Sequence, residues 1–562
     1  MRCEPQGPFE GDSFMTASTI NQAKRSRWAR LAFSGCTALF LSTGWAAAQQ
    51  GQQVPPLPEQ GTPAQTQALP EALKSQPIVP VTSTLNDAAD DHVRDLFKGF
   101  MKEEEDKKKK AEEEKKKKEQ EEGVAVGSVL SGSVRWDPGV NGMMFETPNK
   151  DFTLHIGGRM QFDDVWWTQT PALRSPTQIG NLEDGSFFRR IRIQMDGTAW
   201  EVFEFNFEYA LENAQQGVVG LDEFWAGITK VPYIGSIRMG HQKVPQGLEG
   251  DMVSSSKGMT FLERAAYTDA FYQNFASGIW FGNNFFDQHM TYSAMLYRTD
   301  TGAGGNDFGD GEYAATGRLT FLPVYENEGR CVVHLGASAT WREAERLGTH
   351  LSGPRVVRFA ARPEQRDATG DFGNNVLQGD SVRMVDTGNI VAESADVFGA
   401  EALGIFGPFW TMAEWAVAVA HDPKIGGNPH DDFSFNGGYI QAAYFLTGEN
   451  RLYDRRYGRL NTTYCRPNTP FWAVEDESGN CCMGCGAWEV AVRYSYLNLN
   501  DGIIQGGVMQ GVTVGLNWYL TTNFKVQFEW VNDARWHRDG GSPPGNISGV
   551  VNGFGIRTQA YF

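Results

Sequence analysis

The C-terminal part of the chain alternates regularly in polarity and ends on an aromatic residue. In residues 524–530 apolar side chains alternate with Lys525, Gln527 and Glu529, and the last residue is Phe562. Successive side chains of a strand point to opposite faces, so one face here is apolar and the other polar. Lipid tolerates such strands only in a closed barrel, because every backbone group must be paired. The pattern therefore predicts a transmembrane barrel around an aqueous lumen.

Sixteen alternating segments predict an all-β fold, a 16-stranded antiparallel transmembrane β-barrel, in agreement with the even strand numbers of bacterial barrels. The stretch 355–359 is assigned to a loop, because its arginines leave no clean apolar face. The connection 521–523 is short, whereas 342–394 and 447–486 are long, which fits short periplasmic turns and long extracellular loops. The segments lie near 152–166, 187–197, 200–212, 221–230, 235–243, 276–284, 289–298, 313–322, 331–341, 395–405, 408–420, 436–446, 487–499, 510–521, 524–532 and 552–562.

The N-terminal region divides by composition into four segments before the barrel at 151–562. Residues 1–48 have the basic segment, apolar stretch and Ala46–Ala48 site of a secretory signal peptide. Residues 49–85 are rich in Pro and Gln and predict a disordered linker. A charged helix is expected at 86–122, and a second linker at 123–150.

The charged helix is predicted from seven acid–base pairs four residues apart, each with the acid first. Each pair stabilises a helix by about 0.2–0.5 kcal/mol, so a solvated helix needs no apolar partner. Three interpretations remain open: a stiff periplasmic spacer or arm that contacts the cell wall, a short coiled coil nucleated by Leu96, Phe97 and Phe100, and plain disorder.

Five segments resemble the phosphate-selective porin O/P family, in order along residues 150–562. Membership in this family implies a 16-stranded, usually trimeric outer-membrane porin. The resemblance says less about which solute passes through it. The segments are Gly158-Arg159-Met160-Gln161-Phe162-Asp163, Phe188-Arg189-Arg190-Ile191-Arg192-Ile193, 238–249 (RMGHQKVPQGLE), 438–449 (GYIQAAYFLTGE) and 486–497 (GAWEVAVRYSYL).

Basic residues that alternation points inward are candidates for the pore lining, because anion-selective members of this family line the lumen with arginines and lysines. Residues 243–269 are the candidate for a loop that folds inward. Acidic residues on the same faces allow a second role for each cation, an ion pair that stiffens the wall. The pore-lining candidates are Arg159, Arg190, Arg192, Arg238, Lys243, Lys257, Arg318, Arg493, Lys525 and Arg557. The counter-charges are Glu204, Glu208, Glu489 and Glu529.

The charge of the barrel does not decide its selectivity. The whole chain carries a net charge of −18, of which roughly −16 belongs to residues 131–562, unlike a strongly cationic pore. Acidic loops can lie far from the narrowest ring, and the local field there sets the preferred ion.

Four cysteines, Cys465, Cys481, Cys482 and Cys485, lie in one long connection. A secreted protein crosses an oxidising compartment, so disulfides are expected; a zinc site and free thiols are the alternatives. Neither a metal nor a cofactor is otherwise expected. No common catalytic motif occurs, so an enzyme is not expected; an inward Ser495–His155 pair is the place to look for one.

The sequence thus predicts an outer-membrane porin through which small hydrophilic solutes diffuse passively, with anions, phosphate among them, favoured. The expected partners are outer-membrane lipid, permeant ions or phosphate, two further copies in a homotrimer, and peptidoglycan; nucleic acid is not expected. The alternative is an envelope structural protein, in which the barrel is an anchor and the charged helix contacts the cell wall.

Overall fold

The computed structural model describes residues 133–137, 142–175, 178–212, 220–252, 258–299, 312–347, 353–366, 383–461, 463–475, 481–536 and 547–562. The signal peptide, the first linker and the charged helix lie outside these residues. No helix in the described part is long and apolar enough to span a membrane.

The described strands are β1 (Ser133–Asp137), β2 (Gly142–Glu146), β3 (Phe152–Gln169), β4 (Gly185–Ala199), β5 (Phe203–Ala210), β6 (Gly220–Val231), β7 (Gly235–Lys243), β8 (Phe275–Phe285), β9 (Met290–Arg298), β10 (Tyr313–Glu326), β11 (Cys331–Glu343), β12 (Glu345–Arg346), β13 (Arg355–Val357), β14 (Ala360–Ala361), β15 (Val385–Asp386), β16 (Ile390–Val391), β17 (Ser394–Phe406), β18 (Phe409–His421), β19 (Lys424–Ile425), β20 (Asn428–Pro429), β21 (Phe433–Phe445), β22 (Tyr453–Asp454), β23 (Arg459–Leu460), β24 (Trp472–Glu475), β25 (Cys481–Gly484), β26 (Ala487–Asp501), β27 (Ile504–Tyr519), β28 (Phe524–Trp536) and β29 (Gly549–Tyr561). Helical turns are Pro171–Arg174 and Asn327–Gly329 (3₁₀), Gly247–Met252 (π) and helix α1, Ala266–Phe271.

Sixteen of the described strands form a closed antiparallel barrel, which confirms the predicted fold. They are β3 to β11, β17, β18, β21 and β26 to β29, each paired with the next along the chain. The last strand, β29, pairs with β3 in the register Val551↔Gln169 to Tyr561↔Arg159 and closes the cylinder. The remaining short strands form small ribbons within the connections, including β13 in the stretch assigned to a loop.

The predicted apolar face lies on the outside of the barrel and the polar face inside. On β28, Trp530 is 43% exposed, whereas Lys525, Gln527 and Glu529 are at most 2% exposed. The inward polar residues are buried because the described parts of three connections pack against them inside the lumen. We name these connections loop L3 (residues 244–274), loop L5 (344–393) and turn T6 (446–486).

Two features of the fold differ from the prediction. Residues 133–146, assigned to a linker, contain the hairpin β1–β2, and β2 pairs with β3 between Thr153 and Ile156. The backbone of Phe562 forms hydrogen bonds with the backbone of Gly158, next to this pairing. Strand β2 therefore pairs with the part of β3 that extends past the C-terminal end of β29. Turn T6, expected among the long extracellular loops, lies at the same end as the short connection 520–523, because the strands alternate in direction.

Candidate functional site: the barrel lumen

Loops L3 and L5 enter the lumen from one end, and turn T6 enters from the other. In L3 the backbone N–H of Leu262 donates to Glu529 on β28 at 2.8 Å. In L5 the N–H of Glu364 donates to Asp533, also on β28, at 2.7 Å. In T6 the hydroxyl of Tyr464 donates to Glu489 on β26 at 3.0 Å. The space left between these segments and the wall is therefore divided into separate cavities.

The inward cations predicted on the strands all point into the lumen. Seven of them, Arg159, Arg190, Arg192, Arg318, Arg493, Lys525 and Arg557, are at most 9% exposed, and Arg238 lines a cavity. Lys243 lines the same cavity, with its ammonium 5.9 Å from the ring centre of Phe275. Lys257 lies outside the described residues.

Most of these cations are ion-paired across the wall or with a loop, as in the second of the two predicted roles. Arg159 and Arg192 share Glu208, with 2.9 Å between Arg192 and the carboxylate. The other pairs are Arg238–Glu204 at 2.8 Å, Arg318–Glu401 at 2.5 Å, Arg493–Glu364 at 2.7 Å and Arg557–Asp163 at 2.6 Å.

Two of the four predicted counter-charges have partners other than cations. Glu489 accepts hydrogen bonds from Trp410, Tyr464, Asn517 and Tyr519. Glu529 accepts the N–H of Leu262. These two carboxylates therefore anchor turn T6 and loop L3 to the wall, a role that depends on where distant segments fold.

A β-bulge places an additional arginine in the lumen. Between Gln161↔Arg190 and Phe162↔Phe188 the register of β3 and β4 shifts by one residue. Arg189 is the extra residue, and its guanidinium donates to Glu263 of L3 at 2.7 Å. Strict alternation points Arg189 outward, so alternation alone does not place it in the lumen. The sequence signal that identifies it is the pair Arg189-Arg190 itself, because an arginine on the lipid side would be costly.

Six arginines meet where L3 and L5 contact β4, and we call them the arginine cluster. Its carboxylates within the described residues are Glu263 and Asp269, each shared by several guanidinium groups. Five of the six arginines line a cavity of about 90 Å³, and Arg383 pairs with Asp269 at 3.4 Å. The cluster consists of Arg189, Arg190, Arg264, Arg362, Arg366 and Arg383.

The arginine cluster controls the ionisation of its two carboxyl groups. Burial alone would raise the pKa of Glu263, but Arg189, Arg366 and Arg190 lower it well below its usual value. Burial likewise opposes ionisation of Asp269, and Arg362, Arg366 and Arg383 outweigh it and lower the pKa of Asp269. Both groups are therefore anionic at neutral pH, and the arginines still outnumber them.

A cavity of about 420 Å³ lies against strands β3 to β8, and we call it the main cavity. Its acids are Asp196, Glu204, Glu208, Asp222 and Glu223, and its bases are Arg159, Arg238, Lys243 and Arg459.

Turn T6 forms one side of the main cavity through Tyr457. The hydroxyl of Tyr457 accepts a hydrogen bond from Arg238 at 3.0 Å. The guanidinium of Arg238 also lies 4.2 Å from the ring centre of Trp225 and 4.6 Å from that of Trp280. Cation–π contacts of this kind hold the guanidinium in place.

Two of the four cysteines expected in disulfides are free among the described residues. Cys465 and Cys485 are free thiols, and the side chains of Cys481 and Cys482 lie outside the described part of the chain. Burial raises the pKa of Cys465, so its thiol is neutral. The fold packs Cys465 as a small apolar group, which spacing alone does not reveal.

Neither a Ser–His pair nor a group of metal ligands is assembled in the described part of the chain. The Oγ of Ser495 has no hydrogen-bond partner, and His155 contacts Asp196 at 2.7 Å, so the Ser495–His155 pair is not formed. Within the described ranges no three or more His, Cys, Asp or Glu side chains are grouped to hold a metal ion.

The family model for phosphate-selective porin O and P matches residues 174–562. This chain belongs to that family. It is 27% identical over 413 residues to Porin O of Pseudomonas aeruginosa, covering 69% of this chain and 85% of that protein. An uncharacterized protein of Caulobacter vibrioides is 29% identical over 383 residues, which cover 66% of each chain.

Solved outer-membrane channels resemble the barrel only distantly. The trimer form of OmpT from Vibrio cholerae has a TM-score of 0.43 and 11% identity, covering 73% of this chain and 99% of OmpT. DcaP of Acinetobacter baumannii has a TM-score of 0.41 and 10% identity, covering 73% of this chain and 97% of DcaP. Family and barrel together make the chain a porin of the Gram-negative outer membrane.

Proposed function

We propose that this porin favours anions, and that oxyanions such as phosphate are its preferred solutes. The proposal rests on the arginine cluster, in which five guanidinium groups line a small lumen cavity and a sixth, that of Arg383, pairs with Asp269 beside it. A fixed excess of positive charge attracts anions and repels cations, and guanidinium groups match the geometry of phosphate oxygens. The family name supports the same solute class.

The location of the cluster strengthens the proposal, because it adjoins the narrow space that L3 and L5 leave. The remaining inward cations are mostly paired with carboxylates and add little net field. A solute that passes between the loops therefore meets a positive local potential, although the chain carries a net charge of −18.

The proposal is tested by reversal potentials of the purified porin in a planar bilayer with a KCl gradient. We expect the sign of anion preference, and a chloride current that falls when phosphate is added. The double variant Arg362→Gln/Arg366→Gln should lower the anion preference. Arg330→Gln, which removes an exposed arginine from a short turn, is the matched control and should leave it unchanged. A cation preference of the wild type would overturn the proposal.

We further propose a homotrimer, the assembly that family membership implies. On the outside of the barrel, His241 of β7 and Ser277 of β8 form a polar pair at 3.3 Å. A polar pair that faces hydrocarbon is costly, and a neighbouring copy would cover it. Light scattering of the porin–detergent complex should give the protein mass of three chains, and a single-chain mass would contradict the trimer.

Passive diffusion of the solute completes the proposed function. At low solute concentration the current should increase linearly with voltage and with solute concentration. It should level off only at concentrations that saturate the arginine cluster.

A further inference from the structure

A second cavity adjoins the main cavity, and we call it the outlet cavity. It measures about 350 Å³ and is lined by Glu201 on the turn between β4 and β5 and by Gly235 at the start of β7. These residues lie at the same end of the barrel as the short connection 520–523, because the strands alternate in direction. Short turns belong to the periplasmic end. The outlet cavity therefore lies where solutes leave the pore toward the periplasm.

Four residues line both cavities and so mark the boundary between them. Three of the four, Thr198, Glu204 and Trp280, are on strands of the barrel. The fourth is Tyr457, which belongs to turn T6. Its side chain is thus the part of the boundary that the barrel wall does not supply.

The ring of Tyr457 is held in place by arginines. Its hydroxyl accepts a hydrogen bond from Arg238 at 3.0 Å, and Arg238 is paired with Glu204 at 2.8 Å. The guanidinium of Arg459 lies 4.7 Å from the ring centre, and that of Arg456 lies 5.1 Å from it. Cation–π contacts and the hydrogen bond together restrict the ring to one position. The ring is therefore a fixed part of the boundary.

Turn T6 is also attached to the wall by groups other than this ring. The carbonyl of Gly458 accepts a hydrogen bond from Arg318 on β10 at 2.9 Å. The side-chain amide of Asn284 on β8 donates to the carbonyl of Arg456 at 3.3 Å. A substitution of Tyr457 therefore removes the ring and leaves the backbone of the turn at the wall.

We propose that Tyr457 sets the size limit of the pore at its periplasmic outlet, and that small uncharged polyols and sugars pass it as well as anions do. The diameter of the narrowest section decides which solutes a pore admits, and this ring narrows the boundary between two wider spaces. Hydroxyl and amide side chains of the outlet cavity, among them Thr229, Ser236, Asn283 and Thr291, form hydrogen bonds with such solutes. The proposal rests on the porin itself and is independent of its anion preference.

The test is the swelling of liposomes that contain the full-length porin and are diluted into solutions of neutral sugars. The swelling rate in sucrose relative to that in arabinose measures the size limit, and neither sugar responds to the charge of the arginine cluster. Tyr457→Ala should raise this ratio about threefold or more, because the outlet becomes wider. Tyr457→Phe keeps the ring and loses only the hydroxyl, so it should have the ratio of the wild type.

Tyr233→Ala is the matched control for the loss of a tyrosine ring at this end of the barrel. Tyr233 is 92% exposed on the turn between β6 and β7 and lines neither of the two cavities. This variant should swell as the wild type does. Folding of every variant is checked by heat-modifiable migration on a gel. If Tyr457→Ala does not fold, Tyr457→Trp decides the question, because its larger ring should lower the ratio below that of the wild type.

The proposal is overturned if Tyr457→Ala has the wild-type ratio, or if Tyr457→Phe or Tyr233→Ala raises the ratio as much. Reversal potentials in a KCl gradient separate this result from the anion preference. Tyr457→Ala leaves the arginine cluster unchanged and should have the same preferred ion as the wild type. A cation preference of the wild type would overturn the proposal for oxyanions and leave the size limit standing.

Discussion

The arginine cluster and the main cavity are both lined by charged side chains, yet their charges are arranged differently. In the main cavity, cations on neighbouring strands are paired with carboxylates, as in Arg238–Glu204 at 2.8 Å. In the arginine cluster, loops L3 and L5 bring arginines together around Glu263 and Asp269. The difference shows that the number of inward cations does not define the field in a pore. Their pairing does, and pairing depends on which loop faces which strand.

The largest expected effect concerns a paired arginine of the wall. Arg557→Met leaves Asp163, which is 2% exposed, buried without its cation. Removing one partner of a buried pair costs about 3–5 kcal/mol. Urea unfolding followed by tryptophan fluorescence measures this loss. Lys230→Met, at an exposed pair with Glu201, is the control and should change stability by less than about 1 kcal/mol. A loss of unfolding free energy in Arg557→Met no larger than that in Lys230→Met would show that the buried wall pairs do not stabilise the barrel.

The next effect concerns selectivity and separates the two cavities. Arg189→Gln removes one charge from the arginine cluster and should lower the anion-to-cation permeability ratio about fivefold, the equivalent of about 1 kcal/mol. Arg159→Gln removes one charge from the wall of the main cavity, where Arg192 still pairs with Glu208. Its effect should be clearly smaller. Reversal potentials in a KCl gradient measure both ratios, and the opposite order would assign the selectivity to the main cavity.

A smaller effect is expected when the negative charge of the main cavity is reduced. Glu223 accepts hydrogen bonds from Asn206 at 2.5 Å and Trp225 at 3.3 Å, and it forms no ion pair in the described part of the structure. Glu223→Gln should raise the anion preference by less than about twofold, because water in the cavity screens the charge. Single-channel conductance checks that the pore size is unchanged. A larger increase would mean that solute passes close to Glu223.

The smallest expected effect is that of pH between 7 and 5. The pKa of Glu263 and that of Asp269 are lowered by the arginines, so both carboxylates stay ionised over this range and the charge of the cluster is constant. The anion preference should therefore be flat. A carboxyl group whose pKa is lowered on folding stabilises the folded state at pH values above its pKa in the unfolded chain, about 4. This contribution disappears as the pH falls through the pKa of the folded state. A selectivity change centred near pH 6 would contradict this assignment.

Much of the barrel could be predicted because alternation is a local property. Each of the sixteen predicted segments coincides with a barrel strand, and inward residues such as Arg318 and Arg493 lie where the period of two places them. The period fails at Arg189, where one extra residue in β4 brings two consecutive arginines to the same face. A bulge of this kind depends on the partner strand, so alternation within β4 alone cannot reveal it.

The connections were much less predictable. Turn T6 was expected with the extracellular loops because of its length, but strand order places it at the opposite end, where Tyr464 contacts Glu489. The composition of the secreted chain favours disulfides in T6, whereas the fold buries Cys465 as a free thiol. Contacts between distant loops leave no periodic trace in a sequence, because each loop needs only one or two suitable side chains to make them.

The sequence by itself determined the closed barrel, its strand number and the faces of its strands, because lipid outside and water inside impose a period of two on every strand. Only the tertiary structure decided which charges oppose one another. Arg557 meets Asp163 across the seam between β29 and β3, and Arg366 of L5 meets Glu263 of L3. These distances are set by the closure of the barrel and the folding of loops into it, so the field inside the pore exists only once the chain has folded.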